Sequence, residues 1–169
     1  MAIGVLGMPL RKGQSQEIET CILSAEPAIT GSKAGLCVFA VNSDGVKQTE
    51  VVAADATTTE NNEFYGILNT DISADAATPS NGFIVGVIKK GEAIPVQIEI
   101  PITDIKGGIG FNESGKLVLA TSQAGALGWI NGRLASTEVY KALDENGKEV
   151  DCQLINLFNN GDYDLPVVP

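Results

Sequence analysis

Apolar and polar positions alternate over short stretches from about residue 36 to residue 158, and glycine-containing turns separate these stretches. Asn and Asp tolerate left-handed backbone and glycine adopts it without steric cost, so such turns reverse a strand tightly. The turns are Asn42-Ser43-Asp44-Gly45, Ser80-Asn81-Gly82, Asn112-Glu113-Ser114-Gly115 and Glu145-Asn146-Gly147. This pattern predicts an all-β fold built mainly of antiparallel strands.

The apolar runs between the turns predict the individual strands. Residues 17–22 alternate, and residues 34–41 form a nearly continuous apolar run, which suits a strand covered on both faces. Further strands are predicted at 46–52, 64–68, 83–90, 92–100, 139–143 and 149–158, and a hairpin at 111–120. A helical turn at 137–143 is an alternative to a strand there, because Val139 and Leu143 are also spaced for one helical face.

The clearest hairpin is predicted for residues 83–100, with its hinge at Lys89-Lys90-Gly91. In the second limb of this hairpin, the alternation predicts that Ile94, Val96, Ile98 and Ile100 point to one face. Pro95 has no N–H to donate to a sheet, so this limb is expected to be an edge strand or to contain a bulge.

A chain of 169 residues fits one domain with ordered arms. Glycines and Pro9 interrupt residues 1–16, which we interpret as an extended N-terminal arm. Residues 17–158 are predicted to form the body, a small antiparallel β-barrel or β-sandwich. Residues 159–169 form an extended C-terminal tail in this interpretation.

The charge and the apolar pattern argue against several partners. The formal net charge is −10, and no Lys/Arg cluster exceeds two residues, so direct binding to nucleic acid is not expected. No apolar stretch reaches the roughly 20 residues that cross a bilayer, so no membrane partner is expected. Arg11 and Lys12 follow the apolar N-terminal run instead of preceding it, which is not the order of a secretory signal.

The chain contains no histidine, so it lacks the usual general base of nucleophilic catalysis. Its three cysteines have no paired spacing, and we expect them to be reduced and without a metal, with Cys37 and Cys152 buried. Carboxylate pairs are the remaining acid–base candidates, but all lie in polar loops, where solvated turn residues are the simpler interpretation. These pairs are Glu60 with Glu63, Asp71 with Asp75, and Asp162 with Asp164. We therefore predict neither an enzyme nor a cofactor.

The order of glycines and β-runs over residues 30–158 resembles that of the structural cement (capsid decoration) proteins of tailed bacteriophages. The matching stretches are Lys33-Ala34-Gly35-Leu36-Cys37-Val38, Phe64-Tyr65-Gly66-Ile67-Leu68, 86–96, 105–111 with Ser114-Gly115-Lys116, and 131–135 leading into the final strand pair. The arm, the tail and the loop at 69–81 lie outside the resemblance, and no catalytic residue is carried over from it.

The resemblance implies a virion protein that is made in the host cytoplasm and binds the outside of an assembled capsid. Its expected partners are the major capsid protein and further copies of itself, as a dimer or trimer. One alternative is a β-domain of a phage tail, fibre or baseplate that binds a partner protein or the host surface. Another alternative is a carboxylate-based hydrolase.

Apolar residues in the two arms are the candidates for partner contact, because exposed apolar patches usually mark interaction sites. They are Ile3, Val5, Leu6, Met8 and Leu10 in the N-terminal arm, and Leu165, Val167 and Val168 in the tail. Trp129 is a further candidate, because tryptophan is enriched in interfaces, although a core or lid position is its alternative. The alternative for the N-terminal arm is that it packs on its own body.

Overall fold

The computed structural model describes residues 1–10, 16–23, 31–41, 50–53, 64–69, 83–112, 114–120 and 128–158. These residues contain strands, turns and bends but no helix, which confirms the all-β prediction. Among them, accordingly, no helix is present that is long and apolar enough to cross a membrane.

Eleven strands are present in this part of the chain. They are β1 (Glu17–Leu23), β2 (Cys37–Val41), β3 (Glu50–Ala53), β4 (Phe64–Leu68), β5 (Phe83–Gln97), β6 (Ile109–Phe111), β7 (Leu117–Leu119), β8 (Gly128–Trp129), β9 (Gly132–Leu134), β10 (Tyr140–Leu143) and β11 (Glu149–Leu157). The predicted strand at the start of the final hairpin is therefore correct, and the alternative helical turn at 137–143 does not form.

The strands form two sheets that pack in the manner of a sandwich. The larger sheet has eight strands in the order β1-β3-β2-β4-β5-β11-β10, with β9 paired to β11 and an additional pairing between β1 and β5. Strands β1 to β5 thus pair in a circuit, but the whole sheet is not a closed barrel, because β11, β9 and β10 extend it beyond β5. The smaller sheet has the order β7-β6-β8. All strand pairings in the two sheets are antiparallel except β1 with β3.

Strand β5 corrects the prediction of a hairpin at residues 83–100. The chain does not reverse at Gly91 but continues as one strand of 15 residues. Its first half pairs with β1 and β4, and its second half pairs with β11. Strand β5 carries one more residue than β11 between the pairs Ile155↔Ile94 and Leu157↔Gly91, which defines a β-bulge. The glycine in the sequence therefore marks an irregularity within a strand and not the end of one.

The bulge is centred on Ala93, whose φ of 52° lies in the left-handed region. The Ala93 N–H donates to Oδ1 of Asn156, 2.9 Å away, so a side chain of β11 supplies the acceptor at the bulge. Two residues later, the Pro95 carbonyl accepts a hydrogen bond from Gly7 N–H, on the side away from β11. The proline therefore costs no ladder hydrogen bond to β11, as the predicted edge or bulge requires.

Two predicted turns form hairpins, and they share one hydrogen-bond pattern. In the β6–β7 turn, Oδ1 of Asn112 accepts from the N–H groups of Ser114 and Lys116, at 2.9 and 3.0 Å. In the β10–β11 turn, Oδ1 of Asp144 accepts from the residues two and four positions later, at 2.9 and 2.8 Å. The glycine at the fourth turn position has a φ of +75° in one turn and +79° in the other. The turns at 42–45 and 80–82 lie outside the described residues.

Asn occupies one turn and Asp the other because the second polar atom of each side chain meets a different kind of partner, an acceptor at Asn112 and a donor at Asp144. Nδ2 of Asn112 donates to the carboxylate of Glu99 at 2.7 Å, whereas Oδ2 of Asp144 accepts from the hydroxyl of Ser32 at 2.5 Å. Burial alone would raise the pKa of Asp144, but the hydrogen bonds from Ser32 and from the backbone of Lys148 and Asn146 outweigh it and lower that pKa. The ionised form of Asp144 is thus the one that the fold stabilises.

Exchanging the two amino acids should therefore destabilise the protein at either turn, by an amount that is largest at neutral pH and shrinks in acid. At neutral pH, Asp144→Asn is expected to cost about 1–2 kcal/mol, since it replaces a charge-assisted hydrogen bond with a neutral one. Asp144 has a lowered pKa in the folded state, so its contribution is full above its ordinary value of 3.8 and is lost as the pH falls through the lower folded value. Asn112→Asp instead places a carboxylate against Glu99, so its cost should shrink as the pH falls. Urea midpoints of both variants and of the unaltered protein, measured between neutral pH and strong acid, check these costs, and a cost that does not change with pH would contradict the explanation.

The two hydrophobic clusters lie on opposite faces of the larger sheet. Consecutive residues of β5 enter different clusters, Ile88 the first and Val87 the second, as the alternation of a strand requires. The first cluster lies between the sheets, where the rings of Phe64 and Phe111 stack with centroids 6.0 Å apart. The second cluster includes Leu6 of the N-terminal arm. Both faces are therefore covered within the chain.

Candidate interaction surface

Six large apolar side chains are exposed among the described residues. They are Met1, Ile3, Ile18, Ile100, Ile105 and Val139. Ile100 and Ile105 are 66% and 48% exposed and lie in the connection between β5 and β6, while Val139 is 42% exposed and directly precedes β10. The alternation in the sequence placed Ile100 on the buried face with Ile94, but the chain leaves the sheet after Gln97, and the pattern no longer applies.

A buried glutamine holds the loop at residues 99–106. Oε1 of Gln153 accepts the N–H of Ile102, and Nε2 of Gln153 donates to the carbonyl of the same residue, both at 2.8 Å. Nε2 also donates to the carbonyl of Thr137 at 3.1 Å. Gln153 has no exposed area, and the Ile102 side chain is 4% exposed. One side chain of β11 thereby joins this loop to the segment that leads into β10.

The same loop contains a turn that places Ile105 on its outside. Oδ1 of Asp104 accepts from the N–H of Lys106 at 3.0 Å, and the Asp104 carbonyl accepts from the N–H of Gly107 at 3.3 Å. Loop side chains that are ordered before binding lose less entropy when they become immobilised. The loop therefore presents its two exposed isoleucines on a preorganised backbone.

We call Ile100, Ile105 and Val139 the Ile100 face. Tyr140 is paired with Cys152, so Val139 lies opposite Gln153, whose side chain holds the loop. Charged residues in the same segments include Asp104, Glu138 and Lys106, and Lys141 forms an exposed ion pair with Asp151 at 2.6 Å. Sequence reasoning missed this face because its signal is slight: an isoleucine beside a proline, and another within a charged turn.

The arm residues predicted to contact a partner lie on the chain's own body. Ile3 N–H donates to the Lys141 carbonyl at 2.9 Å, and Leu6 N–H donates to the Leu143 carbonyl at 2.8 Å. Leu6 is fully buried, Val5, Met8 and Leu10 are partly buried, and Ile3 is 37% exposed. Residues 1–10 thus follow the alternative that the sequence left open, in which the arm packs on the body.

The other predicted contact residues are only partly described. Trp129 lies in β8, where its backbone pairs with Gly110, and its side chain is outside the described part of the chain. Leu165, Val167 and Val168 also lie outside it, as do the three carboxylate pairs considered as acid–base groups.

Three partly buried ionisable side chains on neighbouring strands contact one another. Lys89 Nζ lies 3.2 Å from the ring centroid of Tyr65 and also donates to the Tyr65 carbonyl, while the Tyr65 hydroxyl donates to Glu19 at 2.6 Å. Burial lowers the pKa of Lys89, and the nearby Glu19 carboxylate partly restores it. These contacts tie β1, β4 and β5 together.

The three cysteines are free and buried. Burial raises the pKa of Cys21 to about 11 and that of Cys152 to about 12, and it also raises the pKa of Cys37. Thiols in this state are poor nucleophiles at neutral pH. Within the described ranges, no three His, Cys, Asp or Glu side chains come together as a metal site.

No protein-family model, curated protein or solved structure matches this chain.

Proposed function

We propose that this chain is a structural virion protein that binds the outside of an assembled phage capsid and joins neighbouring capsid subunits. The resemblance over residues 30–158 suggests this class of protein. The Ile100 face is the observation that supports a binding role most directly, because it displays apolar side chains on a loop that the fold holds in place.

Binding to an assembled lattice stabilises it by mass action, because the protein adds binding free energy only to the assembled state. Symmetry repeats each contact many times over the shell, and repeated contacts raise the effective concentration of every further one. A protein with both sheet faces covered is suited to this role, since its surface stays available for lattice contacts while its core stays closed. The net charge of −10 is consistent with a position away from packaged nucleic acid.

The Ile100 face is expected to contact the capsid, so polar substitutions in it should weaken binding to shells. In Ile100→Ser/Ile105→Ser, the lost burial of two apolar side chains should lower the affinity for expanded empty heads of the encoding phage by about tenfold or more. Ile18→Ser is the matched control, because Ile18 is 46% exposed on β1 and lies outside this face. Cosedimentation with shells and with unassembled capsid subunits measures both affinities.

Two results of this experiment would contradict different parts of the proposal, the binding to an assembled lattice and the surface that makes the contact. Equal binding of the unaltered protein to shells and to unassembled subunits would remove support for lattice cementing. Shell binding that is unaffected by the double substitution would leave the function standing but exclude the Ile100 face as its contact.

A further inference from the structure

The N-terminal arm occupies its site as a bound peptide would, with backbone hydrogen bonds and one buried anchor. It runs parallel to β10, with Val5 bridged to Leu143 along the edge that β11 leaves open. The Leu143 N–H donates to the Gly4 carbonyl at 2.9 Å, in addition to the two hydrogen bonds that the arm donates to β10. Farther along, Leu10 N–H donates to the Ala93 carbonyl at 3.1 Å. We call this site the arm groove.

The anchor of the arm is Leu6, whose side chain is fully buried in the second hydrophobic cluster. That cluster includes residues of several strands, among them Val38, Leu68 and Cys152. Extended peptides that add to a sheet edge gain affinity from backbone hydrogen bonds and specificity from side-chain pockets. The arm groove supplies both, and the contacts in it are made by residues 1–10, which precede β1 in the chain by only a few residues.

The charges of the arm and the body are opposite. Residues 1–16 contain Arg11 and Lys12 and no acidic residue, a formal charge of +2. Residues 17–169 contain the other 9 basic and all 21 acidic residues, a formal charge of −12. Two bodies therefore repel each other, whereas the arm of one copy is attracted to the body of another.

We propose that the arm groove is a strand-acceptor site that takes the arm of a second copy, so that copies of this chain join by exchanging residues 1–10. The exchanged arm makes the same contacts as the chain's own arm, so the balance between the two arrangements depends on concentration. A short connection keeps the chain's own arm at an effective concentration in the millimolar range, so dilute protein holds its arm and crowded protein exchanges it. This inference does not depend on the capsid proposal.

Cysteines placed across the arm groove report exchange in the full-length chain. One chain carries Ile3→Cys, and a second chain, made larger by a tag, carries Lys141→Cys; the Ile3 N–H lies 2.9 Å from the Lys141 carbonyl. Only an arm bound to the other copy allows a disulfide between the two different chains, since adjacent strands bring Cα atoms within disulfide range. We expect this heterodimer to be scarce at about 10 µM protein and to rise several-fold towards about 1 mM.

Two controls make the result decisive. Ile18→Cys paired with Lys141→Cys measures random cross-linking from another exposed isoleucine, and the native thiols are buried. Both substitutions in one chain should give an internal disulfide in dilute protein. A heterodimer yield at 1 mM no greater than that of the Ile18→Cys pair would overturn the proposal, as would failure of the internal disulfide to form.

Discussion

Replacing Gln153 by methionine is expected to lower the free energy of unfolding by about 3 kcal/mol, because the buried N–H and carbonyl of Ile102 lose their partner and the partly buried Thr137 carbonyl loses a hydrogen bond. These groups are the N–H and carbonyl of Ile102 and the carbonyl of Thr137, and all of them contact the amide of Gln153. Methionine has a similar volume and no strong donor or acceptor, so the change tests the hydrogen bonds with little change in packing. Urea unfolding at neutral pH measures the loss.

A charged replacement at the same position separates the donor from the acceptor role. Gln153→Glu keeps an acceptor for the Ile102 N–H but cannot donate to the two carbonyls while it is ionised, and it buries a charge. It should therefore destabilise strongly at neutral pH and recover part of the loss in acid, where the protonated carboxyl donates one hydrogen bond.

The control for Gln153→Met is Lys141→Met. The ion pair of Lys141 with Asp151 is half exposed to water, and solvent-exposed pairs contribute little, so the unfolding midpoint should hardly change. An equally small effect of Gln153→Met would mean that the hydrogen bonds of Gln153 are not what holds the loop at residues 99–106.

Local sequence patterns predicted strands and hairpins correctly where the interactions that form them lie within a few residues of one another. The turns at Asn112 and Asp144 use an Asx side chain and a glycine within five residues, so their sequence is sufficient to predict them. The prediction failed at Gly91, because a glycine between two β-runs fits a hairpin hinge as well as a bulged strand. Pairing of β5 with β11, more than 50 residues away, decides between the two.

The candidate surface and the arm depend on long-range contacts, and sequence could not locate them. Gln153 looks like an ordinary polar residue within a strand, and its role follows from the backbone of residues 102 and 137 lying beside it. Leu6 looks like an exposed apolar residue in a glycine-rich arm, yet the body contains a site that buries it. An apolar residue in an irregular segment can thus pack against a partner or against its own core, and composition does not distinguish the two.

Replacing Gly7 by alanine is expected to release the N-terminal arm and to lower the free energy of unfolding by about 3 kcal/mol, chiefly through the lost burial of Leu6. The Gly7 φ of +71° disfavours any side chain, and a Cβ there would lie 2.0 Å from the Leu68 carbonyl oxygen. The Leu68 carbonyl belongs to β4, whose backbone is paired in the sheet, so the arm must leave its site. The loss is limited to the free energy of arm docking, because the body remains paired without the arm.

Gly147→Ala is the matched control for Gly7→Ala, because it has a similar φ of +79° but no atom within 4 Å of the added Cβ. It should cost only the backbone strain of about 1 kcal/mol. Hydrogen exchange identifies the cause, since the Leu143 amide donates to Gly4 and should lose protection in Gly7→Ala alone, while the amides that pair β11 with β5 keep theirs. If both alanine variants have the same stability and the same protection at Leu143, then the Leu68 carbonyl is not a barrier at this position, and the arm is held less closely than its contacts indicate.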